Sequence, residues 1–332
     1  MFEEKNRTRI LVTGANSLLG TNVILELLGR GYLVRGFLRD RKKFKPRGLN
    51  IELIEGDITN KKELTGALEG CEAAIHTAAV TSPGLSPEIY KRVNINGTLN
   101  FTESAKICGL KRIVFVSTAN TIGYGNADHP GDETAPPKKP FTGLPYADSK
   151  IRAEKIVLSA AAEASPEAVI VNPTFMIGAW DSKPGSGQII TLAWGKKIIF
   201  VPPGGKNFIP VADASAGVCN ALEKGENGQR YLLAGVNMKY IEFFRLLRKV
   251  SNSRSRLVKL PAPFMLAAGF FGSLFYSAGI RTRVTLTTMK ILCTYNYYAS
   301  GKAVDKLDLP LSPLENAIRE AVEWFNKEGM LK

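Results

Sequence analysis

A small-residue turn between an apolar strand and a helix, within residues 10–40, constrains the fold of this chain more than any other feature. Residues 10–12 form an apolar run typical of a buried parallel strand, and residues 21–28 carry apolar side chains at helical spacing. Residues 34–38 predict a second strand. At such a turn, unpaired backbone N–H groups and the helix dipole can hold a pyrophosphate. The residues predicted to line that site are Gly14, Asn16, Ser17, Leu18, Leu19 and Gly20.

Cationic residues follow the second predicted strand. Nicotinamide sites that prefer the unphosphorylated dinucleotide place an acid at this strand end, where this chain has Leu38 and then Arg39, with Lys42 close by. A guanidinium can bind a 2′-phosphate through two hydrogen bonds. We therefore predict that the cofactor is NADP(H) and that Arg39 is the main residue that binds its 2′-phosphate. NAD(H) is the alternative cofactor. A solvated basic loop is the other interpretation of this charge cluster.

A short strand predicted at residues 51–54 leads to Asp57 and Ile58. The Asp57 carboxylate could accept a hydrogen bond from an adenine amino group at this edge of the sheet. Alternatively, Asp57, Thr59 or Asn60 caps the start of the next helix, which carries Leu64 and Leu68. Asp57 and Ile58 are both included in the predicted cofactor site.

Small residues follow the strand predicted at residues 73–76. Thr77, Ala78 and Ala79 would let a cofactor approach the backbone closely, in the crevice where open α/β sheets bind ligands. His76 lies at the end of this strand within an apolar run. We interpret it as structural, with a catalytic role as the alternative.

Tyr146 and Lys150 carry the candidate chemistry, because a separation of four residues places both on one face of a helix. A tyrosine with an ordinary pKa of about 10 is a poor acid at neutral pH, but a nearby ammonium lowers that pKa. Thr118, at the end of a predicted strand, could hydrogen-bond the substrate oxygen. We therefore predict hydride transfer between a nicotinamide ring and a substrate carbon, with Tyr146 giving or taking a proton.

Strands and helices alternate through the first half of the chain, which predicts an α/β fold with a doubly wound parallel sheet. The predicted cofactor domain comprises residues 1–173 and 207–235. A smaller mixed α/β lobe for the substrate comprises residues 174–206 and 236–332.

For two helical segments the sequence predicts where they begin and end. Residues 90–110 are predicted to be helical. The sequence Ser312-Pro313-Leu314-Glu315 has the pattern of a capping box with proline at the first helical position, and it predicts a final helix that runs through Lys327.

The formal net charge of +14 is concentrated at residues 5–47 and 239–259. A basic chain can bind nucleic acid, but the sequence has neither a zinc pattern nor interleaved aromatic and basic residues, which argues against nucleic-acid recognition. The four cysteines lie far apart, so neither a disulfide framework nor a metal site is predicted. The chain shows no secretory segment, so the expected compartment is the cytoplasm.

Residues 264–280 are seventeen uncharged residues, preceded by Lys259 and followed by Arg281 and Arg283. The run is short for a membrane-spanning helix and contains several glycines. We predict a helix of the substrate lobe that lines an apolar pocket. Peripheral contact with a membrane surface, helped by the flanking cations, and a true span are the alternatives.

These motifs occur in an order that resembles an extended short-chain dehydrogenase/reductase of the NAD-dependent epimerase/dehydratase superfamily. Residues 31–40 are most similar to the dihydroflavonol-4-reductase-like branch, which prefers NADP. The matching pieces are residues 13–20, 56–58, 76–79, 94–98, 117–118, 146–150 and 172–173, with weaker similarity at 208–213 and 228–233.

The resemblance implies a catalytic triad of Thr118, Tyr146 and Lys150, with Ser117 as the other candidate for the catalytic hydroxyl. It implies an NADPH-dependent carbonyl reductase or alcohol dehydrogenase acting on a small-molecule substrate. Members of the family often form homodimers, so a homodimer is one expected state. Further cofactor-binding residues implied by the match are Asn94, Ser117, Pro173 and Phe175.

Ser17 departs from the family pattern, since it stands where the middle glycine of the turn is expected. Its side chain either crowds the turn or hydrogen-bonds a phosphate. A second departure concerns residues 119–120, an alanine and an asparagine where 4,6-dehydratases carry an acidic pair. This argues against dehydratase chemistry.

The sequence leaves three interpretations of substrate and function open. Phe175, Met176 and Trp180 favour a moderately apolar compound. A nucleotide-sugar epimerase with tightly bound NAD is the alternative, because Lys206 stands where such enzymes often carry an arginine for the diphosphate. A binding module without turnover is a third interpretation, disfavoured by the intact Tyr146 and Lys150.

Overall fold

The computed structural model describes residues 8–163, 166–280 and 282–331. Its strands, in chain order, are β1 (Arg9–Thr13), β2 (Leu33–Leu38), β3 (Glu52–Glu55), β4 (Ala73–His76), β5 (Arg112–Val116), β6 (Glu167–Pro173), β7 (Phe175–Ile177), β8 (Ile198–Val201), β9 (Gly205–Pro210), β10 (Arg230–Leu233), β11 (Val236–Lys239), β12 (Arg256–Lys259) and β13 (Tyr295–Asn296). Seven of them form a parallel sheet in the order β3-β2-β1-β4-β5-β6-β10. This order confirms the predicted doubly wound sheet.

The α-helices of the described residues are α1 (Leu18–Gly29), α2 (Lys61–Leu68), α3 (Pro87–Tyr90), α4 (Gly97–Ile107), α5 (Pro145–Ala162), α6 (Gln188–Thr191), α7 (Val211–Lys224), α8 (Tyr240–Val250), α9 (Ala262–Ser277), α10 (Leu286–Cys293), α11 (Gly301–Leu307) and α12 (Leu314–Lys327). Helices cover both faces of the main sheet, as parallel strands require. Val23 of α1 and Val218 of α7 are fully buried on one face. Leu64 of α2, Phe101 of α4 and Val157 of α5 are fully buried on the other.

The carboxyl ends of the parallel strands meet at one edge of the sheet, and the chain reverses its winding between β1 and β4. Ligands of doubly wound sheets bind in the crevice at this reversal. The fold therefore brings the ends of β1, β2, β4, β5 and β6 to one side of the molecule.

A second, smaller group of strands is centred on β9, which pairs with β7, β11 and β13, while β8 pairs with β12. Phe208, Phe243 and Phe325 fill its core. Residues 207–210 belong to β9 in this group, whereas α7 and β10 return to the main sheet. Leu307 of α11 also packs on the main-sheet side. The division into two domains stays a prediction.

Residues 90–107 are helical, which confirms most of the helical segment predicted at 90–110, but a π-helical turn, Lys91–Asn96, lies between α3 and α4. The extra residue of a π turn re-aims the side chains within a helix, and such turns are frequent at functional sites. Here the side chain of Asn94 reaches the backbone of Val80, accepting from its N–H at 2.8 Å and donating to its carbonyl at 3.1 Å.

The capping box predicted for the final helix is wrong. Helix α12 begins at Leu314 with Pro313 as its N-cap residue and no side-chain cap. Ser312 instead donates to the carboxylate of Asp213, through its N–H at 2.7 Å and its hydroxyl at 2.8 Å. The box pattern considers only local partners, but the Ser312 N–H, which the box would bond to Glu315, donates to Asp213, while Glu315 pairs with Lys249 and Arg319.

Residues 264–280 include most of α9, so the predicted helix is present. The predicted pocket lining is wrong for its large side chains, since Phe264, Phe271 and Phe275 are 64%, 58% and 56% exposed. Among the helices of the described residues, none combines the length and apolarity needed to cross a bilayer.

Candidate active site

The turn between β1 and α1 presents unpaired backbone donors at the start of a helix. The N–H groups of Leu18 and Leu19 have no acceptor among the residues that the structure describes, as expected for the first turn of a helix. Gly14 has a positive φ of 68°, and a Cβ there would lie 2.9 Å from the backbone of Ala78. The turn therefore packs directly against the end of β4. Its free donors and the helix dipole fit the pyrophosphate of a dinucleotide.

Ser17 does not crowd this turn, because its side chain caps the helix. Its Oγ accepts a hydrogen bond from the N–H of Gly20 at 3.0 Å and lies 3.4 Å from the Thr77 hydroxyl. The Thr77 hydroxyl donates in turn to the Thr13 carbonyl at 2.7 Å. The replacement of glycine by serine is therefore compatible with a regular α1.

His76 is fully buried and stacked on Phe101, with ring centroids 4.5 Å apart. Its Nδ1 lies 2.7 Å from the Thr13 hydroxyl and its Nε2 lies 3.4 Å from the Thr98 hydroxyl. Burial, with a smaller contribution from the charge of Lys150, lowers the pKa of His76 to about 3. A neutral, hydrogen-bonded ring between two elements agrees with the structural interpretation.

Asp57 closes a local turn after β3, where its carboxylate accepts from the N–H and hydroxyl of Thr59, both at 2.8 Å. The cap of α2 is Asn60, one of the three capping residues that the alternative interpretation offered. Ile58 is buried, and its carbonyl accepts from Asn100 at 3.0 Å. Contact of Asp57 and Ile58 with an adenine stays a prediction.

Arg39 directly follows β2 and is exposed. It forms no ion pair with any residue within the described ranges, whereas Lys43 is paired with Asp40 at 2.8 Å. Lys42 is also exposed, and only its backbone N–H bonds the Asp40 carboxylate, at 3.0 Å. Arg39 and Lys42, the two residues predicted to bind the 2′-phosphate, are therefore both exposed near the end of β2.

Tyr146 and Thr118 are brought together at the sheet edge, since Tyr146 is the second residue of α5 and Thr118 follows β5. Burial raises the pKa of Tyr146 to about 12, and the nearby Thr118 hydroxyl opposes that rise. Ser117 instead has a buried hydroxyl without a partner in the described part of the chain. Of the two candidate hydroxyls, Thr118 is the one that meets the tyrosine.

Lys150 lies one helical turn beyond Tyr146 and is buried. Its Nζ donates to the Val116 carbonyl at 2.7 Å and lies 4.1 Å from the ring centroid of Phe115. Burial lowers the pKa of Lys150 to about 7, opposed by the charge of Glu154. The predicted lowering of the Tyr146 pKa by Lys150 is not met, because the burial of the tyrosine outweighs other influences.

Asn94 positions the start of α5 in addition to its contacts with Val80. Its side-chain amide donates to the Ser149 hydroxyl at 2.9 Å, and that hydroxyl donates to the Tyr146 carbonyl at 2.7 Å. With these bonds the Asn94 side chain is engaged in holding the backbone around Tyr146. Its role is therefore one of support within the site.

Glu154 is a buried residue of this site that the sequence interpretation missed. Its carboxylate accepts from the Thr121 hydroxyl at 2.7 Å and from the Asn172 amide at 2.8 Å, and lies 3.4 Å from the Arg230 guanidinium. The Asn172 amide also donates to the Thr118 carbonyl at 3.2 Å. The available signal was its spacing, because a carboxylate four residues after Lys150 continues the same helix face.

Pro173 is the buried last residue of β6, and Phe175 begins β7. The Phe175 ring meets Phe208 edge to face at 5.6 Å, and the Lys206 ammonium lies 4.5 Å from its centroid. Burial lowers the pKa of Lys206 to about 8. The start of β7, just beyond the end of β6, therefore has an aromatic ring, Phe175, with the Lys206 ammonium beside it.

Sheet and site together define a nicotinamide-dependent oxidoreductase of the extended short-chain dehydrogenase/reductase class, which acts on CH–OH and C=O groups. The chain belongs to the NAD dependent epimerase/dehydratase family, whose sequence profile matches residues 10–234. Both statements confirm the resemblance that the motifs indicated.

Known relatives cover nearly the whole chain. A Synechocystis protein provisionally named dihydroflavonol 4-reductase is 31% identical over 97% of this chain and 95% of its own length. Sterol demethylase protein B of Methylococcus capsulatus is 28% identical over 97% of this chain and 99% of its own. The crystal structure of gox2253 aligns with a TM-score of 0.85 at 31% identity, covering 97% of this chain and 99% of that one.

Proposed function

We propose that this enzyme is an NADPH-dependent carbonyl reductase or alcohol dehydrogenase for a moderately apolar small molecule. The single observation that carries the proposal is the contact between Tyr146 and Thr118 at the carboxyl end of β5. A phenol and an alcohol placed next to each other at this strand end can both reach one substrate oxygen. This pairing is what proton transfer to a developing alkoxide needs.

Each member of the triad has a separate role in this proposal. Thr118 orients the substrate oxygen, and Tyr146 gives it a proton during reduction or takes one during oxidation. Lys150 places positive charge behind the tyrosine and is fixed by its bond to Val116. When bound, the nicotinamide supplies or accepts the hydride.

Arg39 supports the preference for NADPH over NADH. Its guanidinium is exposed at the end of β2 and is unpaired within the described ranges. A free guanidinium at this strand end suits a 2′-phosphate better than the two ribose hydroxyls of NADH. Leu18 and Leu19 would hold the pyrophosphate through their free N–H groups.

The apolar substrate is supported by the half-buried Phe175 at the start of β7 and by the relatives' names. The two relatives described above are named for a dihydroflavonol and a sterol, both ring systems with large apolar surfaces.

A nucleotide-sugar epimerase is the second candidate, and Lys206 is the observation that favours it. Its ammonium lies over the ring of Phe175, which is the first residue of β7 and follows closely on the end of β6. A cation there could bind a substrate diphosphate.

One experiment separates the two functions. The purified enzyme is incubated with NADPH or NADH and a panel of aromatic and alicyclic ketones, and loss of reduced-nicotinamide absorbance is followed. A parallel reaction contains UDP-glucose and no added cofactor. Consumption of NADPH with a ketone supports the reductase, whereas conversion of the UDP-sugar by enzyme purified with bound NAD supports the epimerase and contradicts our proposal.

A further inference from the structure

Helix α9 carries an apolar surface that no other described element covers. Met265, Gly269 and Gly272 recur at spacings of four and three residues and are its buried residues, with Gly269 packed on α10 and Gly272 on Val284 just before it. Gly272 is required there, because an added Cβ would lie 1.7 Å from the Val284 carbonyl oxygen. At 100° per residue, the opposite side of the helix is an exposed apolar face. That face consists of Phe264, Phe270, Phe271, Leu274 and Phe275, each more than half exposed.

An exposed face of this kind marks an interaction site, because removing large aromatic side chains from water is favourable. Four of its five members are phenylalanines, and they are contributed by one helix of 16 residues. Such a helix is about 24 Å long, which is shorter than the hydrocarbon core of a bilayer. It can lie on a membrane but cannot cross one.

The charged residues on either side of this helix in the sequence are of one sign. Between Glu242 and Asp305 the sequence contains no aspartate or glutamate and ten lysines or arginines. These are Arg245, Arg248, Lys249, Arg254, Arg256, Lys259, Arg281, Arg283, Lys290 and Lys302. The partner of this region must therefore tolerate or supply negative charge.

Three of the cations flank the helix pair formed by α9 and α10. Lys259 is exposed three residues before α9 begins. Arg283 is exposed next to Val284, whose carbonyl packs on Gly272. Lys290 is exposed on α10. The aromatic side chains are thus presented by α9, and the three cations by the strand before it, the loop after it and α10.

We propose that the exposed apolar face of α9 docks on the surface of an anionic lipid bilayer. Its phenylalanines enter the boundary between headgroups and acyl chains, while Lys259, Arg283 and Lys290 contact anionic headgroups. A second copy of this chain is a poorer partner, because a symmetric contact would bring two acid-free cationic segments together. The proposal is independent of which substrate the enzyme reduces.

The test is co-sedimentation of the full chain with vesicles of phosphatidylcholine alone or of phosphatidylcholine mixed with phosphatidylglycerol. We expect binding to the mixed vesicles at least about tenfold tighter than to the neutral ones, and weakened by high salt. The double variant Phe271→Ser/Phe275→Ser should lose about tenfold or more in binding to the mixed vesicles. The variant Lys259→Ser/Arg283→Ser should lose the preference for anionic lipid.

The matched control is Ile107→Ser/Leu311→Ser, which removes two exposed aliphatic side chains from other elements and should bind vesicles like the wild type. Thermal unfolding of all variants checks that they are folded. Absence of wild-type binding, or an equal loss in the control, would overturn the proposal. So would a solution dimer of the wild type that ignores vesicles and becomes monomeric in Phe271→Ser/Phe275→Ser.

Discussion

The ammonium of Lys150 lies 2.7 Å from the carbonyl oxygen of Val116, two residues before Thr118. This bond joins the first turns of α5 to the carboxyl end of β5, so the helix that carries Tyr146 and the strand that leads to Thr118 are fixed relative to each other. One buried lysine therefore fixes the relative positions of the three residues of the proposed triad.

The two neighbouring hydroxyls at the end of β5 provide a matched pair of variants. Thr118→Ala should lower kcat by about 10²-fold, because it removes a donor aimed at the substrate oxygen. Ser117→Ala should keep kcat close to the wild-type value, since the Ser117 hydroxyl is buried away from Tyr146 and unpartnered in the described chain. Steady-state reduction of a ketone measures both. Equal losses in the two variants would contradict the assignment.

The pH dependence of reduction should follow Lys150, whose pKa is lowered to about 7 by burial. Above that pH the lysine loses its proton and no longer stabilises the phenolate left by Tyr146, so kcat/KM should fall on the alkaline side. Glu154 raises the pKa of Lys150, so Glu154→Gln should move this fall to lower pH. Glu163→Gln, at the far end of α5, is the control and should leave the profile in place. An unmoved profile in Glu154→Gln would show that the carboxylate does not act through Lys150.

Cofactor preference should depend on Arg39. Arg39→Asp should weaken NADPH binding by about 10- to 100-fold, the worth of a charge-assisted hydrogen bond, and should change NADH binding much less. Lys45→Asp makes the same charge change at a residue that pairs with Glu328, and should affect both cofactors little. Fluorescence titration of the wild type and the two variants gives the six dissociation constants. If Arg39→Asp weakened the binding of NADPH and NADH equally, Arg39 would not be the residue that binds the 2′-phosphate.

Helix capping by Ser17 can be measured separately from cofactor binding. Ser17→Ala should lower the free energy of unfolding by about 1 kcal/mol, because the Gly20 N–H loses its acceptor. Ser17→Gly should lower it by only a few tenths of a kcal/mol. Urea denaturation of the two variants makes the comparison. If Ser17→Ala is as stable as the wild type, the hydroxyl does not cap the helix.

Much of the cofactor side of the fold could be predicted from sequence, because local patterns decide it. The apolar runs of β1 and β5, the turn before α1 and the spacing of Tyr146 and Lys150 are all short-range signals. Their meeting at one sheet edge then follows from the rule that parallel strands end together.

The features that sequence did not predict depend on contacts between distant residues. The π turn at Lys91–Asn96 accompanies the bonds from Asn94 to Val80, and the final helix lacks its cap because Ser312 bonds Asp213. Likewise, Glu154 reads as an ordinary helix residue until Asn172 and Thr121 are seen to converge on it. Burial of Tyr146 also reversed the expected direction of its pKa shift.

The central claim is that Tyr146 supplies the proton in an NADPH-dependent reduction, and Tyr146→Phe tests it most directly. The measurement is single-turnover oxidation of bound NADPH by a ketone that the wild type reduces, with cofactor affinity determined alongside. The account predicts a rate at least about 10²-fold lower in Tyr146→Phe, with NADPH affinity unchanged. A variant that oxidises NADPH at the wild-type rate would contradict it.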